Sequence, residues 1–319
     1  TMVDFCRVLP GDDLFASLEQ RAAQWKQNSF VDYSFHINLG GSLPFEVFEQ
    51  VPTMIQEGYP SFKVFTCNVL PPANLRSPYK LDFGRIGLLM EKASKHGGIL
   101  AVHGEDDDIL QFNYEQFKHL GIMHGSNMHL VHSKLSEHIS FRRTILLAEA
   151  KEAAIYFVHI SAKEGVEAVA EARSKGLPVY GETLHHYACH HAGEYLEPRG
   201  FCYHTYPSLK LPEDQDALWN GLRTGPISTV ATDELPTNLE VKLRGETIEN
   251  ITGGNLGAEA RMGIMYSEGV VKRGFSLERF VELTSTNAAK ILGFYPQKGA
   301  IAPGSDADIA IIDPEFHKV

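Results

Sequence analysis

The stretch Pro60-Ser61-Phe62-Lys63-Val64-Phe65 sets a single charge among apolar neighbours. It has the form of a short strand buried on both faces. Burying an unpaired ammonium is costly, and the usual outcome is a depressed pKa. A neutral lysine amine is a nucleophile. It can take up CO₂ to form a carbamate, a carboxylate on a long arm that two metal ions would hold as a bridge. The plainer reading is a lysine at a barrel rim, paired with a local acid. On this stretch alone both readings stand.

Apolar runs of the same kind recur on either side, so that strands are expected at 1–5, 31–37, 61–67, 99–103, 155–160, 177–182 and 227–233. Helical patterns lie between them. The segment 162–175 carries Val166, Val169 and Ala170 on one face, and Gly176 ends it. Pro212 opens a helix with Leu218 and Leu222 on one side. Gly40, Gly41 and Pro44 precede another that runs through Gln56, and Gly58 and Pro60 break it. Strands alternating with helices mean an α/β protein with a parallel sheet.

The polar residues favour a barrel over a doubly wound sheet. Lys63 lies within one strand run, and His103, His159 and Asp233 lie at or near the ends of later ones. In a (β/α)₈ barrel the strand C-termini share one rim, and the active site sits there. The expected fold is therefore a (β/α)₈ TIM-like barrel over residues 1–297. Seven strand runs are present, and Thr1 to Phe5 already reads as a strand, so the first barrel strand is expected upstream of Thr1. Beyond Asp233, residues 256–268 and 277–292 read as helices. The stretch KGAIAPGSDADIAIID at 298–313 reads as a turn-rich β segment with a strand at 309–312. Residues 298–319 are expected to form part of a small β-sandwich appendage.

His103 ends the run Ile99-Leu100-Ala101-Val102, and His159 follows Ile155-Tyr156-Phe157-Val158. A lone histidine after a strand is more often a hydrogen-bonded rim residue than a ligand. Two at equivalent places, with a lysine and an aspartate on two further strands, point to a metal centre. Imidazole and carboxylate ligands suit zinc, with manganese or iron as alternatives. Asp233 would accept the proton of a bound water. The other histidines carry less weight. His119, His124, His129, His132 and His138 read as a solvated lid or helical excursion, and His185, His186, His190 and His191 as an irregular tract that could line the barrel mouth. His36 reads as a satisfied structural residue, and the acids at 106–108 as a solvated loop.

The bulk numbers set outer bounds. The chain has 319 residues, 22% charged and 43% hydrophobic, with a net charge of −11. That acidic balance argues against nucleic acid or anionic membrane as partners. Cys6, Cys67, Cys189 and Cys202 form no CxxC pair, so free thiols in a reducing compartment, the cytoplasm, are expected. No apolar run has the length of a membrane span, and no signal peptide is visible.

With these residues in hand the sequence resembles the cyclic amidohydrolases, specifically the dihydropyrimidinase/hydantoinase branch. The matching stretches are SFKVF at 61–65, AVHGEDDDI at 101–109, FVHISAKEG at 157–165, YGET at 180–183, DALWNGLRTG at 216–225, ATDELP at 231–236, GAEARMG at 257–263 and STNAAKILGFYPQKGAIAPGSDADIAIIDP at 285–314. They keep the family's order over nearly the whole chain. The resemblance implies that Lys63 is a carboxylated lysine bridging two metals, that His103 and His159 bind one of them, and that Asp233 binds metal and shuttles the proton. It implies an HxH pair for the remaining ligands. The chain contains no HxH, and the pair is expected before Thr1. A homotetramer is implied as well.

The chain departs from the family around the substrate. A tyrosine a few residues after the bridging lysine is replaced by Asn68. A serine before a proline is Tyr206, an asparagine in the loop after the eighth strand is Gly253, and a histidine after the catalytic aspartate is Glu234. Asn68, Tyr206 and Gly253 are therefore the substrate-binding candidates. The expected activity is opening of a cyclic amide or imide ring, of dihydropyrimidine or hydantoin type, by a metal-bound hydroxide. The rivals are a non-catalytic dihydropyrimidinase-related scaffold, or another cyclic amidohydrolase such as an allantoinase or dihydroorotase. A mononuclear deaminase is more distant, since it has no use for a bridging lysine.

Overall fold

The computed structural model describes residues 1–8, 11–41, 43–71, 74 and 79–315. Seven strands form the sheet: β1 Met2–Val8, β2 Tyr33–Leu39, β3 Ser61–Phe65, β4 Ile99–His103, β5 Ala154–Phe157, β6 Val179–Leu184 and β7 Ile227–Ala231. They lie side by side in sequence order, and every pairing is parallel. The sheet curls as a (β/α)₈-type barrel with helices between its strands. All seven strand expectations are met, with ends displaced by up to three residues.

The two-residue period of a strand divides the side chains. Phe62, Val64, Leu100, Val102, Ile155 and Phe157 join the main core with the helices. The alternate row runs Asn38, Lys63, Ala101, Tyr156, Tyr180 across four neighbouring ladders. Ala101 and Tyr156 belong to a second, smaller cluster with Ile99 and Val158 inside the barrel. Lys63 thus faces inward because its neighbours Phe62 and Val64 face out.

The helices follow from capping and amphipathicity. Helix Lys163–Ser174 buries Val166, Ala168, Val169 and Ala172, each valine contributing roughly 1.5 kcal/mol or more. Helix Pro212–Thr224 starts with proline and stops at Gly225, whose φ is 112°. Two short helices, Phe45–Glu49 and Val51–Gln56, stand where one was expected, with Pro52 in the first turn of the second.

Four expectations need correction. The acids at 106–108 are not a solvated loop. Asp106 caps helix Asp107–His119 by accepting from the Ile109 amide at 3.2 Å, and Asp107 and Asp108 fill its first turn, where the helix dipole favours them. The helix expected at 256–268 begins only at Arg261 and passes into a π-helical turn, Tyr266–Val271. The helix expected at 277–292 contains a π turn at Glu282–Thr286. No strand forms at 309–312. Its backbone has no strand beside it among the described residues, and Ile311 is 93% exposed. The segment from Lys298 to Asp308 is tied down by Lys298, which pairs with Asp32, Asp306 and Asp308. No helix among the described residues is long and apolar enough to cross a membrane.

Candidate metal centre

Lys63 projects from the middle of β3, and His103 is the last residue of β4. His159 and Asp233 each lie two residues past a strand, β5 and β7. Both adopt a positive φ, 46° and 44°. A side chain with a Cβ visits that region only at a cost, and such strain clusters at functional sites. Here the turn directs both side chains to the barrel mouth. All four residues line one cavity of about 670 Å³.

Lys63 is 2% exposed. Burial pulls its pKa down to about 8, against a smaller upward pull from Asp233 and Glu182. Its ammonium nitrogen lies 4.6 Å from the centre of the Phe65 ring and 5.7 Å from that of Phe5. Among the described residues no carboxylate forms an ion pair with it. The plainer reading, a rim lysine paired with a local acid, is therefore not what the fold builds.

His103 Nδ1 and His159 Nε2 are 3.0 Å apart. Burial lowers the His103 pKa to about 4 and holds that of His159 well below its ordinary value, so both imidazoles are neutral and each carries one lone pair. Burial raises Asp233, while Lys63 pulls it down. Two facing neutral imidazoles, an unpaired amine and a carboxylate in one wall make a donor set that fits divalent metal ions.

Sequence reasoning missed what stands behind His103. Glu105, wholly buried, accepts from His103 Nε2 at 2.8 Å and from His132 Nδ1 at 2.8 Å. Tyr114 Oη continues the chain to His132 Nε2 at 3.0 Å. The two histidine bonds hold the Glu105 carboxyl well below the usual range despite its burial. With Nε2 engaged, His103 offers Nδ1 to the cavity. The signal lay in the Gly104-Glu105 step after His103, masked by the acids that follow. His132, read as part of a solvated lid, is buried in this network. Cys67, His103 and Glu105 also bring donor atoms within 4.8 Å of one another. Two histidines already occupy Glu105, however, and burial keeps the Cys67 thiol protonated.

A second buried carboxylate lies deeper. Glu182 accepts from the Tyr156 hydroxyl, which also meets Thr229 Oγ1. Burial pushes the Glu182 pKa up to about 7. YGET at 180–183 marked the place without revealing this bond.

The substrate candidates divide. Tyr206 and Gly253 line the cavity. Asn68 does not: its side-chain oxygen accepts from the amides of Tyr79 and Lys80 at 2.9 and 3.1 Å, which spends it on closing a loop. Glu234 lines the mouth, and one of its carboxylate oxygens accepts from the Gly257 and Ala258 amides. His36 is satisfied by Ser61 Oγ at 2.6 Å, as expected. His185 and His186 bond backbone carbonyls of Ala231 and Tyr203, outside the cavity wall.

The model of the Amidohydrolase family matches residues 75–319. The D-hydantoinase of Geobacillus stearothermophilus is 31% identical over all of this chain and 67% of its own length. That of Ralstonia pickettii is 33% identical over all of this chain and 69% of its own. The crystal structure of the Brevibacillus agri dihydropyrimidinase superposes with a TM-score of 0.86 at 32% identity, over 96% of this chain and 66% of that one. The chain thus spans about two thirds of the length of the relatives it matches.

Proposed function

The chain belongs to the amidohydrolase family, and from that premise we propose that its cavity opens a cyclic amide or imide ring of the hydantoin or dihydropyrimidine type. The observation that carries the reading is Lys63, buried with no carboxylate in ion-pair contact among the described residues, in the same wall as two facing neutral imidazoles. A structural lysine this deep would be expected in direct ion-pair contact with a carboxylate, whereas Asp233 and Glu182 act on Lys63 only at a distance.

His103, His159, Lys63 and Asp233 would hold two divalent ions, with zinc the best match to the donors. Bound there, the ions would lower the pKa of a water and polarise the scissile carbonyl. Lys63 enters as a carbamate: its neutral amine forms an N–C bond to CO₂ and gives up one proton. The depressed pKa keeps a sizeable neutral fraction available near pH 8. Glu105 fixes the His103 ring so that Nδ1 faces the cavity. Asp233 takes the proton that the attacking water gives up at its carboxylate oxygen. It delivers that proton to the ring nitrogen as the C–N bond breaks, leaving an N-carbamoyl or similar acid.

Asn68, Tyr206 and Gly253 differ from the family pattern, so the ring itself is decided by assay. The experiment is a panel of hydantoin, dihydrouracil, allantoin and dihydroorotate, run beside metal analysis. We expect turnover of at least one ring, with zinc bound. A metal-free protein inert on all four would leave the scaffold reading in its place. The same reading takes the assembly as a homotetramer and the compartment as the cytoplasm. The four cysteines, none of them in a disulfide, support the latter. It also divides the chain into a barrel, 1–297, and part of a β-sandwich, 298–319.

A further inference from the structure

Two of the departures from the family pattern are in contact. A Cβ added at Gly253 would lie 2.4 Å from Cε2 and 2.6 Å from Cδ2 of Tyr206. No side chain at 253 coexists with that ring where it stands, so the tyrosine occupies the volume the glycine leaves open. The ring is held from its other sides. The His204 ring meets it edge-on at 4.7 Å, and His132 lies 5.2 Å away.

The two segments are also clamped together. The buried Lys242 ammonium donates to the His204 carbonyl at 2.7 Å and to the Gly254 carbonyl. Thr237 Oγ1 donates to the Gly253 carbonyl at 3.1 Å, and Asn255 Nδ2 to the Asp233 carbonyl at 3.2 Å. The wall that carries Tyr206 is thus continuous with the loop that carries Asp233. The Tyr206 hydroxyl bonds no described residue, yet it is not among the buried atoms lacking a partner. It is therefore reachable from the cavity that Tyr206 lines. Burial keeps the phenol protonated, hence a hydrogen-bond donor.

We propose that Tyr206 and Gly253 act as one recognition element, in which the absent side chain at 253 seats the ring and the Tyr206 hydroxyl donates to a carbonyl of a planar cyclic amide or imide. Asn68, turned into its own loop, takes no part. The element rests on the proposed ring-opening reading, so its test must separate the two.

With the metal-loaded protein and hydantoin, Tyr206→Phe should raise KM about five- to tenfold, the size of one uncharged hydrogen bond. Turnover at saturation, metal content and melting temperature should be unchanged, the pattern of lost uniform binding. Gly253→Ala should weaken hydantoin binding, measured by calorimetry, by at least the same factor. In a Tyr206→Ser background, where no ring remains to be displaced, the same change should have no effect. An unaltered KM in Tyr206→Phe, or equal Gly253→Ala penalties in both backgrounds, overturns the element. Wild-type protein that neither binds nor turns over any ring of the panel overturns the ring-opening reading instead.

Discussion

His103 and His159 face each other across the barrel mouth, Nδ1 to Nε2, at 3.0 Å. They come from adjacent strands, and the positive φ of His159 brings its ring round to its neighbour. Two imidazoles this close cannot both be charged, and burial drives both toward neutrality. With His103 Nε2 donating to Glu105, the His159 Nε2–H donates to His103 Nδ1, and a divalent ion would take the place of that shared proton.

Glu105 should control how well that pair binds metal. It fixes the His103 ring from behind, and such partners are worth roughly 10- to 100-fold in metal affinity. Glu105→Gln keeps the shape but removes the charge, so zinc affinity should fall by that factor in a chelator competition. The acid response should change too. A carboxyl held below its ordinary value adds stability above that value and loses it as pH falls through the folded one. Wild-type stability should therefore drop below about pH 4.5, and the Glu105→Gln curve should be flatter there. Unchanged affinity together with an unchanged acid limb would remove Glu105 from the centre.

Lys63 makes the opposite prediction on the alkaline side. It titrates at about 8 when folded, against 10.5 for a free lysine. Below pH 8 the folded chain holds a buried ammonium and bears its full cost. Between those values the unfolded chain keeps a proton the folded chain has lost, so stability rises with pH. In metal-free, CO₂-free buffer, Lys63→Met should be more stable than wild type by roughly 3 kcal/mol at pH 7. The gap should close toward pH 10.5. Urea melts at pH 7 and 10 that give the same gap would contradict a depressed Lys63. With metal and CO₂ present, the same variant should lose both ions and all activity.

What the sequence disclosed follows from how each residue advertises itself. Lys63, His103 and His159 stand out because each interrupts or ends an apolar run, and strand periodicity survives tertiary packing. Glu105 has the same importance to His103 but sits in an acid run that composition reads as solvated. Only the fold shows that Glu105 turns in while Asp106 caps a helix. His132 lies 27 positions from Glu105, and no local pattern predicts that bond. Asn68 stands at the right spacing after Lys63, yet its short amide finds two backbone donors before it can reach the cavity. Residues 309–312 have strand composition, but a strand needs a partner, and none of the described residues supplies one.

Gly104 is the hinge between His103 and Glu105, and it is hemmed in. A Cβ there would come within 2.5 Å of Phe141 Cε1, whose ring stacks on Phe157 at 3.8 Å. Gly104→Ala should cost about 1–3 kcal/mol through overpacking and lower metal content by shifting both flanking residues. Trimming the obstacle with Phe141→Leu should recover much of the stability. A melting temperature for Gly104→Ala equal to wild type would show that Phe141 yields freely.

In the proposed reaction Asp233 would carry the proton, and its test separates carrier from ligand. Asn255 bonds its carbonyl rather than its carboxylate, so Asp233→Asn leaves the loop anchored and changes only the acid–base group. General acid–base catalysis contributes roughly 10²- to 10⁴-fold, and kcat should fall by that amount while most of the metal stays bound. If kcat moves by less than twofold, another group transfers the proton. If the metal leaves with the carboxylate, the ligand role of Asp233 outweighs its proton role, and kcat is then compared at equal metal content. Glu234 lines the cavity next to Asp233, but its carboxylate is tied to the Gly257 and Ala258 amides. With one of its two oxygens spent in this way, Glu234 is the weaker candidate for the carrier role proposed for Asp233.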